Sequence, residues 1–437
     1  MVTPLRVPEI QTFGWSSHYT WVGFWQWVSQ ALDASPLAYL IQLPLVLLFG
    51  ASRLGPRIPA LLFAVGSCFL FLRLINRAAP KQRYAGLFLF MLLPVQLFAV
   101  TSPTQYDAAV FFVLLATLAL FDLRAQPGYR NAAYFALATA ACLFTDHHAG
   151  VPIAGAVLFL LRFSPRPQER KAVWFALGAF SVAVALYAPF YVWVRSYTNP
   201  FWLTEPGLSV SGLAAMSAVD WAFAFGVLLM IAGAILSAVV SFRLPVTQIT
   251  RRLTLFCLFG SFLVTILVLV VTAVYGGGGI AYRELLFAAP SAVVLFYAVL
   301  EWLAQLVVFR AVRIALVVVG VALVVVSGLI DVELIGGPEE NLALEATHVT
   351  PELTGDSCVV FVSEKYSKPL FLVFQPQLDA HECQEFFHHR IVLASHPYVH
   401  PDQQADAESY FRGLNYHEVK RIRSRGGEIV VMEGPAM

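Results

Sequence analysis

The sequence predicts an all-α polytopic membrane protein with a small α/β module at its C-terminal end. Of its 437 residues, 59% are hydrophobic and only 13% are charged, and the mean hydropathy of +0.71 lies outside the range of soluble domains. Apolar runs recur from residue 58 to residue 332, and the more polar segment after them contains short stretches typical of β-strands. A net charge of +1 without a run of basic residues excludes a nucleic-acid-binding surface.

The apolar runs predict ten transmembrane helices, since a helix needs about 20 apolar residues to cross the hydrocarbon core. Two of these helices, 131–145 and 149–163, are short and share the polar break TDHHAG, which favours a hairpin of tilted helices. The ten helices centre on residues 58–76, 84–101, 106–122, 131–145, 149–163, 172–194, 221–242, 253–275, 284–305 and 312–332.

Basic residues predict the orientation, because Lys and Arg near the ends of spans stay on the cytoplasmic side. Alternate loops carry fifteen of these residues, and the loops between them carry only Arg195 and Arg283. The fifteen are Arg73, Arg77, Lys81, Arg83, Arg124, Arg130, Arg162, Arg166, Arg170, Lys171, Arg243, Arg251, Arg252, Arg310 and Arg313. The orientation predicts an extracytoplasmic loop with interfacial helices over 1–56, a transmembrane helical domain over 57–335 and an extracytoplasmic module over 338–437.

The segment before the first predicted span is aromatic and nearly uncharged, and it predicts helices that lie in the outer membrane interface. Five apolar residues recur there at helical spacing, and indole rings prefer the interface. They are Trp21, Phe24, Trp25, Val28 and Leu32. The run that follows at 36–50 contains Pro44 and has only about 15 residues, which is short for a span.

The polar C-terminal region predicts a small α/β module. The stretches CVVFVSE, RIVLAS and GGEIVVMEG are typical of strands, and DQQADAESYFRGL is typical of a helix. Cys358 and Cys383 are the two cysteines of this region, whereas Cys68, Cys142 and Cys257 lie inside apolar runs. An extracytoplasmic module lies in an oxidising compartment, so we expect a disulfide between Cys358 and Cys383.

An ordered set of short motifs runs through the first 80 residues. Glu9, Thr12, Asp33, SPLAYL, LFG and RIP follow one another in that order. The order and spacing resemble the first outer loop of the GT-C membrane glycosyltransferases, which include the protein mannosyltransferases of the family 39 type and bacterial lipid A and lipopolysaccharide sugar transferases. In that superfamily a first transmembrane helix precedes the loop, and the loop opens with Asp-Glu. Here the leading Asp corresponds to Pro8 and the first helix is absent, so we expect a chain that begins late or a degenerate copy.

The resemblance implies a glycosyltransferase that moves a sugar from a polyprenyl-phosphate carrier to an acceptor hydroxyl on the outer face of a bacterial inner (plasma) membrane. Such chemistry needs a carboxylate to take the acceptor's proton and cations to stabilise the leaving phosphate. The implied partners are the polyprenyl-phosphate sugar donor, a lipid, glycan or protein acceptor, and the bilayer, with no nucleic acid. No cofactor is implied, and a divalent metal stays open.

Glu9 and Asp33 are the catalytic candidates. Glu9 lies one position after the residue that corresponds to the family's base, or it could simply be a solvated glutamate near the N-terminus. Asp33 precedes the sequence ASP and could instead cap the helix that follows.

Four further residues are candidates for substrate binding. Asp107 lies at the outer end of a predicted span, where an ionisable group favours a cavity, or else a place in the first turn of its helix. His147 and His148 of TDHHAG resemble the family's histidine-containing outer loop and could contact phosphate or simply lie at the interface. Arg283 of AYRELLFAAP could bind a phosphate, or it could pair with Glu284 or lipid headgroups.

Two other functions remain open. A non-catalytic paralogue or fragment that binds the lipid carrier would explain Pro8 in place of the aspartate. A polytopic transporter would carry ionisable groups in the middle of its spans, which are almost free of charge here.

Overall fold

The computed structural model describes the chain in segments. They are residues 36–38, 40–41, 44, 57–93, 106–163, 167–197, 249–276, 286–306, 349, 352–353, 357–362, 383, 389–395, 401–424 and 427–434. By its internal contacts the chain divides into two compact units, one of which holds the long helices and the other the C-terminal sheet. The stripe at 21–32 and the predicted spans at 221–242 and 312–332 lie outside the described residues.

The first unit is helical, and its helices agree with most of the apolar runs. The described helices are α1 (Arg57–Ala78), α2 (Arg83–Met91), α3 (Tyr106–Ala125), α4 (Tyr129–Thr145), α5 (Gly150–Phe163), α6 (Pro167–Tyr197), α7 (Ile249–Gly276) and α8 (Ala289–Leu306). Four stretches among the described residues are long and apolar enough to cross a membrane: Ile58–Ala78, Tyr106–Ala125, Arg170–Val192 and Arg251–Val271. The chain is an integral membrane protein.

Helix α2 covers the first part of the predicted span at 84–101, and residues 94–101 lie outside the described residues. It ends at Met91, where the backbone N–H of Leu92 donates to the carbonyls of Phe88 and Leu89. The sequence is consistent with a helix end here, because Pro94 follows and a proline disfavours helical conformation in the residue before it. In α8 a proline is compatible with the helix, because Pro290 lies in the first turn, where the backbone N–H has no partner within the helix.

The break TDHHAG separates two helices, as expected, but α4 and α5 do not form a hairpin that packs mainly on itself. Helix α4 packs chiefly against α3 and α6, and α5 packs chiefly against α7. Two glycines bring α5 and α7 together: a Cβ on Gly155 would lie 2.4 Å from the carbonyl oxygen of Gly260, and one on Gly260 would lie 2.4 Å from the Phe159 ring. Close backbone approach of this kind is common between membrane helices.

One end of the helical unit carries a buried ion pair. Glu301 of α8 is 3% exposed, and its carboxylate lies 3.1 Å from a guanidinium nitrogen of Arg251 in α7. The same arginine donates to the carbonyl of Ala78 at 2.7 Å, and the backbone N–H of Lys81 donates to Glu301 at 3.2 Å. The ends of α1 and α8 and the start of α7 therefore meet here, at the end that the basic residues predict to be cytoplasmic.

The second unit contains a four-stranded sheet. Its strands are β1 (Ser357–Phe361), β2 (Arg390–Ser395), β3 (His417–Ser424) and β4 (Gly427–Glu433), in the order β1-β2-β4-β3. The first pair is parallel and the other two are antiparallel. Helix α9 (Pro401–Gly413) lies between β2 and β3 in the chain, and its Phe411 packs on one face of the sheet beside Ile391 and Val430.

The structure adds one strand that the sequence analysis missed. Strand β3, HEVKRIRS, is mostly polar, and among the described strands it pairs only with β4. Charged residues are common on such edge strands. The sheet also carries a disulfide between Cys358 and Cys383, whose Cα atoms are 5.0 Å apart. These are the two cysteines of the polar C-terminal region.

Candidate active site

Asp146, His147 and His148 form a compact group where α4 ends. The residue after Thr145 turns to extended backbone, and His147–Ala149 form a short 3-10 helix that leads into α5. Asp146 caps this turn: its carboxylate accepts the backbone N–H of His148 at 2.8 Å and lies 3.4 Å from the Nδ1 atom of the same residue. The local sequence explains the cap, since aspartate is a preferred residue before a helical turn.

The carboxylate of Asp146 is held in its ionised form. Burial by itself raises its pKa, but the hydrogen bond from His148 and the charges of His148 and His147 outweigh burial, and the pKa lies below its ordinary value. The ionised carboxylate accepts the hydrogen bond from the His148 backbone, and this bond holds the histidine turn in place.

The two imidazoles lie together against α6. Their ring centroids are 3.9 Å apart, and the His147 ring lies 5.5 Å from the ring of Tyr191. Tyr191 belongs to an aromatic group between the ends of α4 and α6 that includes Phe144, Tyr187 and Phe190. The side chain of Asp146 is 9% exposed and that of His148 is 36% exposed, so the group offers imidazole N–H donors to a ligand from a partly buried position.

Asp107 is a second buried carboxylate at this end of the bundle. It lies in the first turn of α3 and is 1% exposed. Neither carboxylate oxygen has a hydrogen-bond partner within the segments that the structure describes. The positive end of the helix dipole favours an acidic residue at this position, but a buried carboxylate without hydrogen bonds is costly.

The chain path brings Asp107 to the same end as the histidines. Helices α3 and α4 are joined by residues 126–128 and pack along their length, so the start of α3 lies beside the end of α4. The 3-10 turn at His147–Ala149 also packs against α3. Asp107, His147 and His148 therefore lie at the same end of the bundle. Glu9, Asp33 and Arg283 lie outside the described residues.

The sequence analysis did not select Asp146 or Tyr191 as site residues. Asp146 is part of the TDHHAG motif. Its position directly before the two histidines is the signal that could have identified it as the cap of the histidine turn. Tyr187 and Tyr191 are spaced i, i+4 near the end of α6, a spacing that puts both rings on one helix face.

The arrangement suits two kinds of ligand. Imidazole N–H groups donate to phosphate oxygens, which makes the histidine turn a place for an anion. Asp146, His147 and His148 also each offer a ligand atom within 4.8 Å of the others, a set that could hold a divalent cation.

Two solved structures of ArnT from Cupriavidus metallidurans are similar to the chain. The apo structure has a TM-score of 0.59 at 13% identity and covers 98% of this chain and 94% of that chain. The structure bound to undecaprenyl phosphate has a TM-score of 0.58, with the same identity and coverage. The chain has the GT-C fold.

The GT-C fold predicted from the first 80 residues is thus confirmed for the chain as a whole, together with the small α/β module. No protein-family model matches the sequence, and no curated protein matches it.

Proposed function

We propose that the chain transfers a sugar from a polyprenyl-phosphate carrier to an acceptor hydroxyl at the outer face of the membrane. The observation that carries the proposal is the buried carboxylate of Asp107, which lacks hydrogen-bond partners in the described part of the chain and lies at the same end of the bundle as His147 and His148. The fold supports it, because a similar structure of ArnT holds undecaprenyl phosphate.

In this proposal Asp107 is the general base. The acceptor oxygen attacks the anomeric carbon of the sugar, the bond between that carbon and the phosphate oxygen breaks, and the polyprenyl phosphate leaves with the electron pair. The hydroxyl proton passes to the Asp107 carboxylate. Glu9 and Asp33 remain the candidates from the N-terminal loop, because the resemblance gives that loop the family's base.

His147 and His148 would bind the phosphate of the donor. Their N–H groups donate to its oxygens, and the interaction strengthens as the leaving phosphate gains negative charge. Asp146 would position His148 by its two contacts with that residue. Arg283 is proposed as a further phosphate ligand, since a guanidinium offers a fork of donors and keeps its charge.

The test is transfer of labelled sugar in membranes that contain the protein. Undecaprenyl-phosphate sugars are supplied one at a time, and label is measured in the lipid, glycan and protein fractions. Asp107→Asn should reduce transfer by a hundredfold or more, about the size expected for loss of a general base. The matched control is Asp122→Asn, the same change in the same helix, where the carboxylate is half exposed and pairs with Arg77; transfer should be unchanged.

Binding separates the two roles. His147→Ala and His148→Ala should weaken binding of undecaprenyl phosphate to the purified protein, and Asp107→Asn should retain it. Asp107→Asn should also be at least as stable to heat as the native chain, because the amide costs less to bury than an unpaired carboxylate. Full transfer activity in Asp107→Asn would disprove the role of this residue. Carrier binding without transfer from any donor would instead favour the non-catalytic carrier-binding alternative.

A further inference from the structure

A groove of about 750 Å³ lies between α4 and α6, at the end of the bundle opposite to the histidine turn. Its floor consists of small side chains from both helices: Ala132, Ala133, Ala136, Gly178, Ala179 and Val182. A Cβ built on Gly178 meets no atom within 4 Å, so the groove is open space and not a gap closed by neighbours. The floor is apolar throughout.

Aromatic rings and a cation form the mouth of the groove. Tyr129 is 84% exposed and Trp174 is 73% exposed, and the Tyr129 ring meets that of Phe175 edge to face at 5.1 Å. The ammonium of Lys171 lies 5.9 Å from the centre of the Phe175 ring. Tyrosine, tryptophan and lysine together mark the level of the lipid headgroups, where lysine extends its charge towards water.

The length of the groove matches one leaflet. From Lys171 to Val182 the helix rises about 16 Å, at 1.5 Å per residue. The hydrocarbon core is about 30 Å thick, so one leaflet contributes about 15 Å. An acyl chain of a single leaflet would therefore run the length of the groove, with its headgroup beside Lys171.

The charge at the mouth selects the headgroup. Lys171 is the one cation that lines the groove among the described residues, and the exposed Arg170 is its neighbour in the sequence. We propose that the groove is a binding site for an anionic glycerophospholipid, with one acyl chain on the alanine and glycine floor and the phosphate at Lys171. The site lies away from the chemistry of the proposed glycosyltransferase and does not depend on it.

The test uses quenching of Trp174 by lipids brominated in the acyl chain. The protein is placed in bilayers of unbrominated phosphatidylcholine with increasing amounts of brominated phosphatidylglycerol or brominated phosphatidylcholine. The signal of Trp174 is the difference between the native chain and Trp174→Phe. We expect phosphatidylglycerol to quench at about fivefold lower mole fraction, the factor expected for one lysine at an anionic surface.

Three variants decide the assignment. Lys171→Gln should abolish the preference for phosphatidylglycerol. Gly178→Leu should reduce quenching by both lipids, because a Cβ at this position lies in open space and the leucine side chain would occupy the groove. Arg73→Gln, an exposed cation of α1 that does not line the groove, should leave the preference unchanged.

Equal quenching by the two lipids in the native chain would overturn the proposal, and so would a preference that survives Lys171→Gln. If undecaprenyl phosphate displaces brominated phosphatidylglycerol at a lower mole fraction than unbrominated phosphatidylglycerol does, the groove belongs to the carrier and the phospholipid assignment is wrong. None of these results requires sugar transfer, so they are separable from the test of the proposed function.

Discussion

Two aspartates at one end of the bundle have opposite surroundings. Asp146 accepts a backbone hydrogen bond and lies beside an imidazole, whereas Asp107 is buried and has no hydrogen-bond partner among the described residues. A carboxylate with hydrogen-bond partners stabilises the fold. A buried carboxylate without such partners lowers stability, so a functional role is the usual reason for its presence. The surroundings of Asp146 are those of a structural residue, and those of Asp107 fit the chemical role that we propose for it.

Asp146→Ala should lower the free energy of unfolding by about 1–2 kcal/mol, the usual cost of losing a capping side chain. Asp146→Asn keeps an acceptor for His148 and should cost less. The fold lowers the pKa of Asp146, so the stabilisation from its charge is present above the ordinary value of about 3.9 and is lost as the pH falls through the lower folded value. The difference between the native chain and Asp146→Asn should shrink below about pH 4. Heat unfolding in nanodiscs from pH 7 to pH 3 measures it, and a constant difference would contradict the charge contribution.

At the scale of the helices, contact between α5 and α7 depends on Gly155 and Gly260. A Cβ added at either glycine would lie far inside the normal contact distance of the other helix. Close packing of this kind stabilises membrane helices, because the hydrophobic effect does not drive helices together within lipid. Gly178 in α6 differs from these two glycines, because a Cβ added there would meet no atom within 4 Å.

Gly155→Ala should therefore destabilise the protein, because the helices must move apart to admit the methyl group. Gly178→Ala is the matched control and should stabilise α6 by about 0.5–1 kcal/mol, since alanine restricts the unfolded chain more than glycine does. Heat unfolding of the two variants beside the native chain provides the comparison. Equal effects of the two changes would show that α5 and α7 are not in close contact.

The buried pair of Arg251 and Glu301 ties three helices together at the other end. Arg251→Met should destabilise by about 3–5 kcal/mol, because it leaves Glu301 buried and unpaired. The double change Arg251→Met with Glu301→Leu should recover most of that loss. Arg77→Met is the control: its pair with Asp122 is exposed and should contribute at most about 1 kcal/mol. Denaturant unfolding compares the four proteins, and equal losses for Arg251→Met and Arg77→Met would contradict the assignment.

At the scale of the whole molecule, the chain combines a membrane unit with a sheet module that has its own core. Both faces of the sheet are covered by apolar residues, and β2 and β4 lie in the middle of the sheet. The disulfide links residues 25 positions apart, beside β1. A bridge of this length contributes about 3 kcal/mol by restricting the unfolded chain.

Mass mapping without reduction should recover one linked peptide pair that contains Cys358 and Cys383. Cys68, Cys142 and Cys257 are free in the structure, and they should react with a thiol reagent only after the protein is unfolded or extracted. Reduction should lower the unfolding temperature of the module and leave the membrane helices in place. Recovery of both Cys358 and Cys383 as free thiols from freshly isolated membranes would contradict the pairing, and with it the predicted extracytoplasmic position.

The elements whose signal is local could be predicted from the sequence alone. Apolar runs located α1, α3, α6 and α7, because the bilayer demands length and hydrophobicity from each helix alone. The same holds for β1, β2 and β4, which are short apolar runs. The fold followed from ordered motifs in the first 80 residues.

Which elements pack against each other could be read only from the folded chain. The mostly polar β3 was missed because its place at the sheet edge comes from pairing with β4. The packing of α5 on α7 rests on two glycines more than 100 residues apart in the chain. The burial of Asp107 and the ion pair of Glu301 likewise depend on neighbours that are distant in sequence. A residue's surroundings are set by the helices packed around it, and no local pattern specifies them.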